Sequence, residues 1–203
     1  MKIIGITGGI GSGKSQVLSY LEEAYGAACC QADQVARRLQ QKGTKCHRRI
    51  VEHFGEDILD ENGRLDRPKL AGIVFSNKAQ LRILNEIVHP AVKEKLREII
   101  QKEEKKGTNV FVLEAALFIE ENYGALCDEV WYIYADEETR KRRLMASRGY
   151  SEEKIEGIFA SQMPSSDFFT YCDRAIDNCN SFQEACGEID DVMEQLGIKK
   201  REE

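Results

Sequence analysis

The start of the chain combines an apolar run, a glycine-rich stretch and a second apolar pattern of different period. Ile3, Ile4 and Ile6 form a short run that is typical of a buried strand. Apolar side chains then return at helical spacing and stop at Gly26, a residue type that commonly ends helices. The helical positions are Val17, Leu18, Leu21 and Ala24. The pattern therefore predicts a strand, a loop and a helix in succession.

Further apolar runs occur along the chain without the period of an amphipathic helix. They cover residues 27–31, 110–113, 130–134 and 174–176. Continuous apolar runs of this kind are typical of parallel strands that helices cover on both faces. Together with the first strand they predict a three-layer α/β fold with a parallel sheet of about five strands.

The segment between the second and third predicted strands is helical in pattern throughout. Residues 34–106 contain no strand signal, whereas a simple alternating α/β chain would return to the sheet sooner. Within it, Asp66 and Ser76 are expected to cap helices, and Pro90 is expected to open a long one. The helix after Asp66 is expected to bury Leu70, Ile73, Val74 and Phe75.

This division predicts the domain organisation. A nucleotide-binding core is expected from residues 1–33 and 108–203, with a helical substrate-binding subdomain over residues 34–107. Within the core, Asp136 and Ser151 stand where they would cap two successive helices, the second running to Met163. We expect these helices to form a lid over about residues 137–165. Ser181 with Glu184 fits a capping box that opens the last helix.

The loop after the first strand fits the pattern Gly-x-x-x-x-Gly-Lys-Ser from Gly8 to Ser15. Glycines let successive backbone N–H groups point inward and form an anion-binding nest, to which the following helix adds its positive end. Lys14 would reach the β- and γ-phosphates, and the Ser15 hydroxyl would ligate Mg²⁺. The sequence therefore predicts binding of ATP with Mg²⁺. The predicted nucleotide-binding residues here are Gly9, Gly11, Ser12, Gly13, Lys14, Ser15 and Gln16.

The amino-acid composition limits the kinds of partner that the protein is expected to bind. The formal net charge is -6, which argues against a nucleic-acid-binding protein because such proteins usually present a basic face. No apolar run is long enough to span a membrane, and the chain enters a strand at once without a signal-peptide pattern. The 7 cysteines are odd in number and lack a Cys-x-x-Cys pair, so we expect reduced thiols rather than disulfides or a zinc site. These features indicate a cytoplasmic protein with no membrane partner.

Three acidic residues, Asp33, Glu114 and Asp177, follow predicted strands at the edge of the sheet where such folds bind ligands. Asp33 follows the second strand and is the candidate general base that would orient an acceptor hydroxyl and take its proton. The alternative is that Asp33 caps the helix that follows it. Glu114 ends the third strand and would hold Mg²⁺ through a water molecule, or it would accept hydrogen bonds from neighbouring loops.

Arginines supply the candidate cations. Arg143 and Arg148 belong to a basic cluster that begins at Arg140, and a lid arginine would stabilise charge on the transferred phosphoryl group. A solvated helix face is the alternative for this cluster. Arg37 and Arg67 are candidate sites for anionic groups of a substrate, with exposed surface arginine as the alternative. His89 is a further candidate for substrate binding, or it merely ends a helix before Pro90.

Taken in order, these segments resemble the dephospho-coenzyme A kinase family over nearly the whole chain. The Asp33 segment resembles the family motif Asp-Ala-Asp-x-x-Ala-Arg, and the phosphate loop resembles the family's opening. The other matching segments are Phe54-Gly55, Gly63 to Arg67, Val74-Phe75, His89-Pro90, Leu117 to Glu120, Gln162-Met163 and Asp173 to Asn178.

The resemblance implies an enzyme that transfers the γ-phosphoryl group of ATP to the ribose 3′-hydroxyl of dephospho-coenzyme A. It implies a P-loop kinase fold, Asn178 among the nucleotide-binding residues, and no obligate protein partner. Gln31 replaces the first aspartate of the family motif, which leaves Asp33 as its only carboxylate. Ser147-Arg148 stands where an arginine-led pair is common in the family, which bears on the assignment of Arg148.

Two other functions are compatible with a phosphate loop. One is a different small-molecule P-loop kinase, acting on a nucleoside monophosphate or a small alcohol. The other is a nucleotide-binding switch with little turnover. A guanine-specific switch would carry an Asn-Lys-x-Asp motif, which this sequence does not contain.

Overall fold

The structure, a computed structural model, describes residues 1–201 and divides the chain into two compact units. One unit combines Met1–Cys30 with the chain from Glu103 onward, and the other comprises Gln31–Lys102. Among the described residues, no helix is both long enough and apolar enough to cross a bilayer.

A five-stranded sheet in the order β2-β3-β1-β4-β5 forms the centre of the first unit. Its strands pair in parallel, which confirms the predicted three-layer α/β sheet. The central position of β1 explains the apolar character of the first strand, because neighbours flank it on both sides. The strands are β1 Lys2–Thr7, β2 Ala28–Gln31, β3 Val110–Glu114, β4 Glu129–Tyr134 and β5 Arg174–Asp177.

Helices account for most of the remaining described chain. They are α1 Lys14–Tyr25, α2 Ala32–Leu39, α3 Lys45–Phe54, α4 Arg67–Ser76, α5 Lys78–Lys105, α6 Glu137–Arg148, α7 Glu152–Ser161, α8 Ser165–Tyr171 and α9 Phe182–Gln195. The predicted caps Asp136, Ser151 and Ser181 are confirmed, since each side chain accepts a hydrogen bond from the backbone N–H three residues later.

The core of the first unit lies where α1 and α9 pack on the sheet. The apolar stripe of α1, with Val17 and Leu21, faces the strands, as its helical spacing predicted. Other fully buried members are Ile4, Ile6, Val110, Val112, Trp131, Ile133, Ile189 and Met193. This packing fixes the start of α1, and therefore the end of the phosphate loop, against the carboxyl end of β1.

The second unit departs from the prediction at two helix boundaries, those assigned to Pro90 and Ser76. Pro90 lies inside α5 and does not open a helix. Ser76 ends α4, and Asn77 instead caps α5 through hydrogen bonds that its side-chain oxygen accepts from Ala79 and Gln80. A helix of 28 residues tolerates one proline because only one backbone hydrogen bond is lost near its middle.

The predicted buried face of α4 is only half correct. Leu70 and Val74 are buried, whereas Ile73 is 36% exposed and Phe75 is 81% exposed. Apolar spacing marks one side of a helix, but it does not tell how far round that side the packing extends.

The segment before β5 also differs from the prediction. The helix that Ser151 caps stops at Ser161, short of Met163, and a separate helix α8 follows Pro164. α8 is held by aromatic contact, because the ring of its Phe168 stacks on Tyr132 of β4 with centroids 4.8 Å apart.

Candidate active site

The phosphate loop runs from the end of β1 to the start of α1 in a backbone form that needs glycine. Gly8, Gly11 and Gly13 have φ values of 147°, 82° and 94°, a region that other residues rarely adopt. Gly13 is the N-cap of α1, so the loop ends on the free N–H groups of a helix. The predicted anion-binding nest is therefore present in the backbone.

Neighbouring side chains lie so close to the loop that no residue larger than glycine fits at two of its positions. A Cβ atom at Gly9 would lie 2.4 Å from Cζ of Arg140, and one at Gly13 would lie 2.2 Å from Nδ2 of Asn178. Both contacts are far inside van der Waals distance. The loop sequence is thus fixed by its neighbours as well as by its own dihedral angles.

Lys14 lies across the loop as the motif predicts. Its Nζ donates hydrogen bonds to the carbonyl oxygens of Gly8 at 2.7 Å and Gly9 at 3.3 Å. Ser15 and Gln16 follow in the first turn of α1 and are exposed. The ammonium group and the Ser15 hydroxyl therefore occupy the start of one helix, beside the backbone nest.

Arg140 of α6 contacts the loop from outside it, and the sequence did not single it out as a site residue. Its Nε donates to the carbonyl of Ile10 at 2.9 Å, and its Nη2 donates to Oε1 of Gln162 at 2.5 Å. The guanidinium also lies over the ring of Phe159, 4.1 Å from the centroid. Arg140 is buried, and this burial lowers the pKa of the guanidinium, which stays charged at neutral pH.

One sequence signal could have identified Arg140. It lies four residues before Leu144, a buried residue, and therefore on the inner side of α6. An arginine among the buried positions of a helix requires a partner for its charge. The same helical spacing decides whether each of the other arginines in the cluster faces the interior or the solvent.

The two predicted lid arginines occupy different environments. Arg143 is half-buried, and its Nη1 is buried without a hydrogen-bond partner among the described residues. Arg148 ends α6 and is exposed, with its guanidinium 5.9 Å from the centroid of the Tyr150 ring. Their predicted catalytic roles stay predictions.

Asn178 supports the loop from the end of β5. Its side chain is fully buried, and Nδ2 donates to the carbonyl of Ser12 at 2.8 Å. Oδ1 of Asn178 and the hydroxyls of Thr7 and Ser12 are buried without hydrogen-bond partners in the described chain. Asn178 therefore holds the loop at Ser12, and its predicted contact with the nucleotide stays a prediction.

Glu114 ends β3 directly beside the strand that leads into the loop. Its Cα pairs with that of Ile6 in the parallel register, and Glu114 is 8% exposed. The pairing places its backbone at the same level of the sheet as the last residues of β1. Carboxylates in this position are suited to a cation that bridges phosphate oxygens.

The remaining predicted residues belong to the second unit. Asp33 is exposed in the first turn of α2, and the alternative that it caps this helix is wrong because Gln31 is the N-cap. Arg37 is exposed one turn later, and Arg67 is exposed at the first residue of α4. His89 is half-buried within α5.

A family model described as dephospho-CoA kinase matches residues 2–184. The dephospho-CoA kinase of Carboxydothermus hydrogenoformans is 36% identical over 195 residues, which cover 96% of this chain and 94% of the relative. That of Geobacter sulfurreducens is 40% identical over 192 residues, which cover 95% of this chain and 97% of the relative.

Solved structures agree with these relatives. TT1252 from Thermus thermophilus superposes with a TM-score of 0.80 at 30% identity, covering 96% of this chain and 97% of that one. Dephospho-CoA kinase from Campylobacter jejuni gives a TM-score of 0.69 at 27% identity, covering 97% of this chain and all of the other. A shikimate kinase from Bacteroides thetaiotaomicron, at a TM-score of 0.51 and 12% identity, shares the fold alone.

Proposed function

The chain belongs to the dephospho-CoA kinase family, and on this premise we propose which of its residues bind, orient and activate the two substrates. The enzyme transfers the γ-phosphoryl group of ATP to the ribose 3′-hydroxyl of dephospho-CoA, the last step of coenzyme A biosynthesis. The observation that carries the assignment of roles is a glycine loop with two cationic side chains, Lys14 and Arg140, on it.

The loop and these cations bind the triphosphate. Backbone N–H groups of Gly11 to Ser15 surround phosphate oxygens, and Lys14 turns from the Gly8 carbonyl toward the β- and γ-phosphates. Arg140 places a guanidinium beside Gly9 in a site with little water, where its charge acts strongly on the phosphoryl group in transfer.

Magnesium fits the donor set of this site. The described residues contain no cluster of three or more His, Cys, Asp or Glu side chains suited to a metal ion. Mg²⁺ commonly binds through one or two protein oxygens together with substrate phosphates, so the Ser15 hydroxyl and the Glu114 carboxylate suffice. The cation would neutralise charge on the phosphates, while Ser15 and Glu114 would fix its position.

Asp33 is the proposed general base. It follows β2 by two residues, and doubly wound folds bind their ligands beyond the carboxyl ends of parallel strands. Its exposed carboxylate is available to accept a hydrogen bond from the 3′-hydroxyl and then its proton. Gln31 has an amide instead of a carboxylate, and its side-chain oxygen accepts a hydrogen bond from the Gln34 side chain.

Arg37, Arg67 and His89 are the proposed contacts for the phosphates and the adenosine end of dephospho-CoA. All three belong to the helical unit, and both arginines are exposed and so available to an anionic ligand. We assign the chain to the cytoplasm, where cysteines outside disulfides, such as its 7, stay reduced, and expect no nucleic-acid, membrane or obligate protein partner.

Replacement of Asp33 with asparagine tests the base. Asp33→Asn keeps the shape and loses the charge, so kcat should fall by about 10²–10⁴ while both substrates still bind. Steady-state kinetics with calorimetric binding of ATP and dephospho-CoA measures this. The control is Asp57→Asn, which removes an exposed carboxylate of the same unit and should leave kcat unchanged.

Product mapping belongs to the same experiment. Phosphate should appear on the 3′-oxygen of dephospho-CoA and on neither adenosine nor uridine monophosphate. An Asp33→Asn enzyme with normal kcat would refute the base assignment and leave the substrate assignment intact. Preferred turnover of a nucleoside monophosphate would refute the substrate assignment.

A further inference from the structure

Gln162 is the residue that follows α7, and its side chain connects this segment to the phosphate loop. Its side-chain Oε1 accepts two hydrogen bonds, one from Nη2 of Arg140 at 2.5 Å and one from the backbone N–H of Ile10 at 3.3 Å. Both donors belong to groups of the kind that bind phosphate oxygens. Gln162 thus connects the segment after α7 to the two parts of the phosphate site at once.

Both hydrogen-bond partners of Arg140 are neutral, although the Glu137 carboxylate on the same helix also acts on its charge without forming an ion pair. Its hydrogen bonds go to the Ile10 carbonyl and the Gln162 amide, and its face lies on the Phe159 ring. Among the ion pairs of residues 1–201, none involves Arg140. The guanidinium is 6% exposed and keeps its full positive charge beside the loop.

An amide and a carboxylate at position 162 would act on this charge in opposite ways. A carboxylate would bind the guanidinium more strongly, because a charge-assisted hydrogen bond is about twice as strong as a neutral one. It would also cancel the positive charge and place a negative one where phosphate oxygens must come. An amide oxygen orients Arg140 and leaves its charge to the nucleotide.

We propose that Gln162 is a positioning residue of the kinase reaction, which fixes the Arg140 guanidinium against Ile10 without adding a negative charge that would compete with the transferred phosphoryl group. The inference rests on the proposed role of Arg140. Gln162 and Phe159 both come from the end of α7 or the residue after it, so this segment holds the arginine from two directions. Gln162 acts through Arg140, without a required contact of its own with substrate.

The decisive variant is Gln162→Glu, which keeps shape and hydrogen-bonding reach. A purely structural role predicts that this variant is as active as the wild type, since its bond to Arg140 is stronger. The positioning role predicts an unchanged or higher melting temperature together with a fall in kcat/KM for ATP of about 10²-fold, the loss typical of one oriented electrostatic donor. Gln162→Met keeps the length of the side chain but lacks the amide. Its kcat/KM for ATP should fall about tenfold, and a change of pH should not restore it.

The chain offers a matched control. Gln195 also accepts a hydrogen bond from an arginine, with 3.0 Å between its Oε1 and Nη1 of Arg174. Gln195→Glu makes the same chemical change at a glutamine–arginine pair away from the loop. It should leave kcat and KM for ATP unchanged, which separates the effect of position from that of added charge.

A double-mutant cycle with Arg140→Met shows whether Gln162 acts through the arginine. In the Arg140→Met background, the neutral variant Gln162→Met should cause less than a twofold further loss in kcat/KM, because no guanidinium is left to position. Multiplicative losses, or a Gln162→Glu enzyme of wild-type kcat/KM beside an impaired Arg140→Met, would overturn this proposal alone. Full activity of Arg140→Met would overturn both this proposal and the role given to Arg140.

Discussion

Arg140 places a buried positive charge beside the loop, and the other arginines of α6 can be compared with it by their burial. Arg140 is buried and hydrogen-bonded to two neutral groups, Arg143 is half-buried, and Arg148 is exposed. Since Coulomb interactions strengthen as water is excluded, a positive charge at Arg140 or Arg143 interacts more strongly with a nearby phosphate than one at Arg148. The predicted lid arginines therefore differ in expected weight.

Arg143→Ala should lower kcat more than it raises the KM for dephospho-CoA. The buried Nη1 of Arg143 has no hydrogen-bond partner within residues 1–201, and a buried donor of this kind is costly unless a ligand pairs with it. We expect a fall in kcat of about 10–10³-fold for Arg143→Ala and a smaller one for Arg148→Ala. Steady-state kinetics at saturating ATP measures both.

Arg142→Ala is the control for this pair. Arg142 lies on the same helix, is exposed, and donates a hydrogen bond of 3.4 Å from Nη2 to the Thr139 hydroxyl. Its loss should not alter kcat. Equal kinetics for all three variants would show that the basic cluster beyond Arg140 is a solvated helix face.

At the scale of elements, a carboxylate joins α1 to α9 and to the chain that follows α9. Asp190 accepts hydrogen bonds of 2.6 Å from the hydroxyls of Tyr20 and Tyr25 and from Nζ of Lys200. Burial alone would raise the pKa of Asp190, but these hydrogen bonds outweigh it, so the pKa lies below its ordinary value. Because α1 also begins at the phosphate loop, this junction anchors the far end of the helix that binds phosphate.

Asp190→Asn should destabilise the protein at neutral pH and not in acid. A carboxyl whose pKa is lower in the folded state stabilises that state above its unfolded pKa of about 3.9, and this contribution is lost as the pH falls through the folded value. We expect a loss of about 1 kcal/mol in the free energy of unfolding at pH 7, a modest value because the site is partly exposed. Urea unfolding at pH 7 and pH 3 measures it.

Asp191→Asn is the matched control, since Asp191 is the exposed neighbour on α9. It should unfold like the wild type at both pH values. A difference between Asp190→Asn and the wild type that persists undiminished at pH 3 would contradict the linkage to ionisation of this carboxyl.

The elements that the sequence predicted correctly are those whose signal is local. Strands β1 and β3 are continuous apolar runs, and caps such as Asp136 act on a backbone N–H only three residues away. Pro90 was misplaced because a proline is compatible with a helix start and, in a long helix, with its interior. α8 was missed because its seven residues are held mainly by long-range aromatic contact with Tyr132.

The same distinction applies to the site. The loop from Gly8 to Ser15 was predictable because its chemistry is contained in consecutive residues. The contacts of Arg140 and Gln162 with Ile10 join residues more than a hundred positions apart, and they depend on how α6 and α7 are rotated. The sequence alone therefore does not show which arginine of α6 contacts the loop.

At the scale of the whole molecule, an acidic chain must bind two polyanionic substrates. The net charge of -6 repels both, so local cations have to offset it at each binding site. Lys14 and Arg140 are the proposed cations in the unit that contains the sheet, and Arg37 and Arg67 are those proposed in the helical unit. We therefore expect the two substrates to act mainly on different units.

Hydrogen–deuterium exchange of the intact protein tests this division of labour. Binding suppresses the local opening of the segments that it orders, so protected amides report where each ligand acts. ADP should slow exchange in the loop from Gly8 to Ser15 and in residues 137–165, and dephospho-CoA should slow it in α2, α4 and α5. Adenosine, which lacks phosphates, serves as the control for both ligands and should protect neither set strongly. Protection by dephospho-CoA confined to the sheet-containing unit would contradict the assignment of residues 34–107 to the acceptor, even with normal turnover.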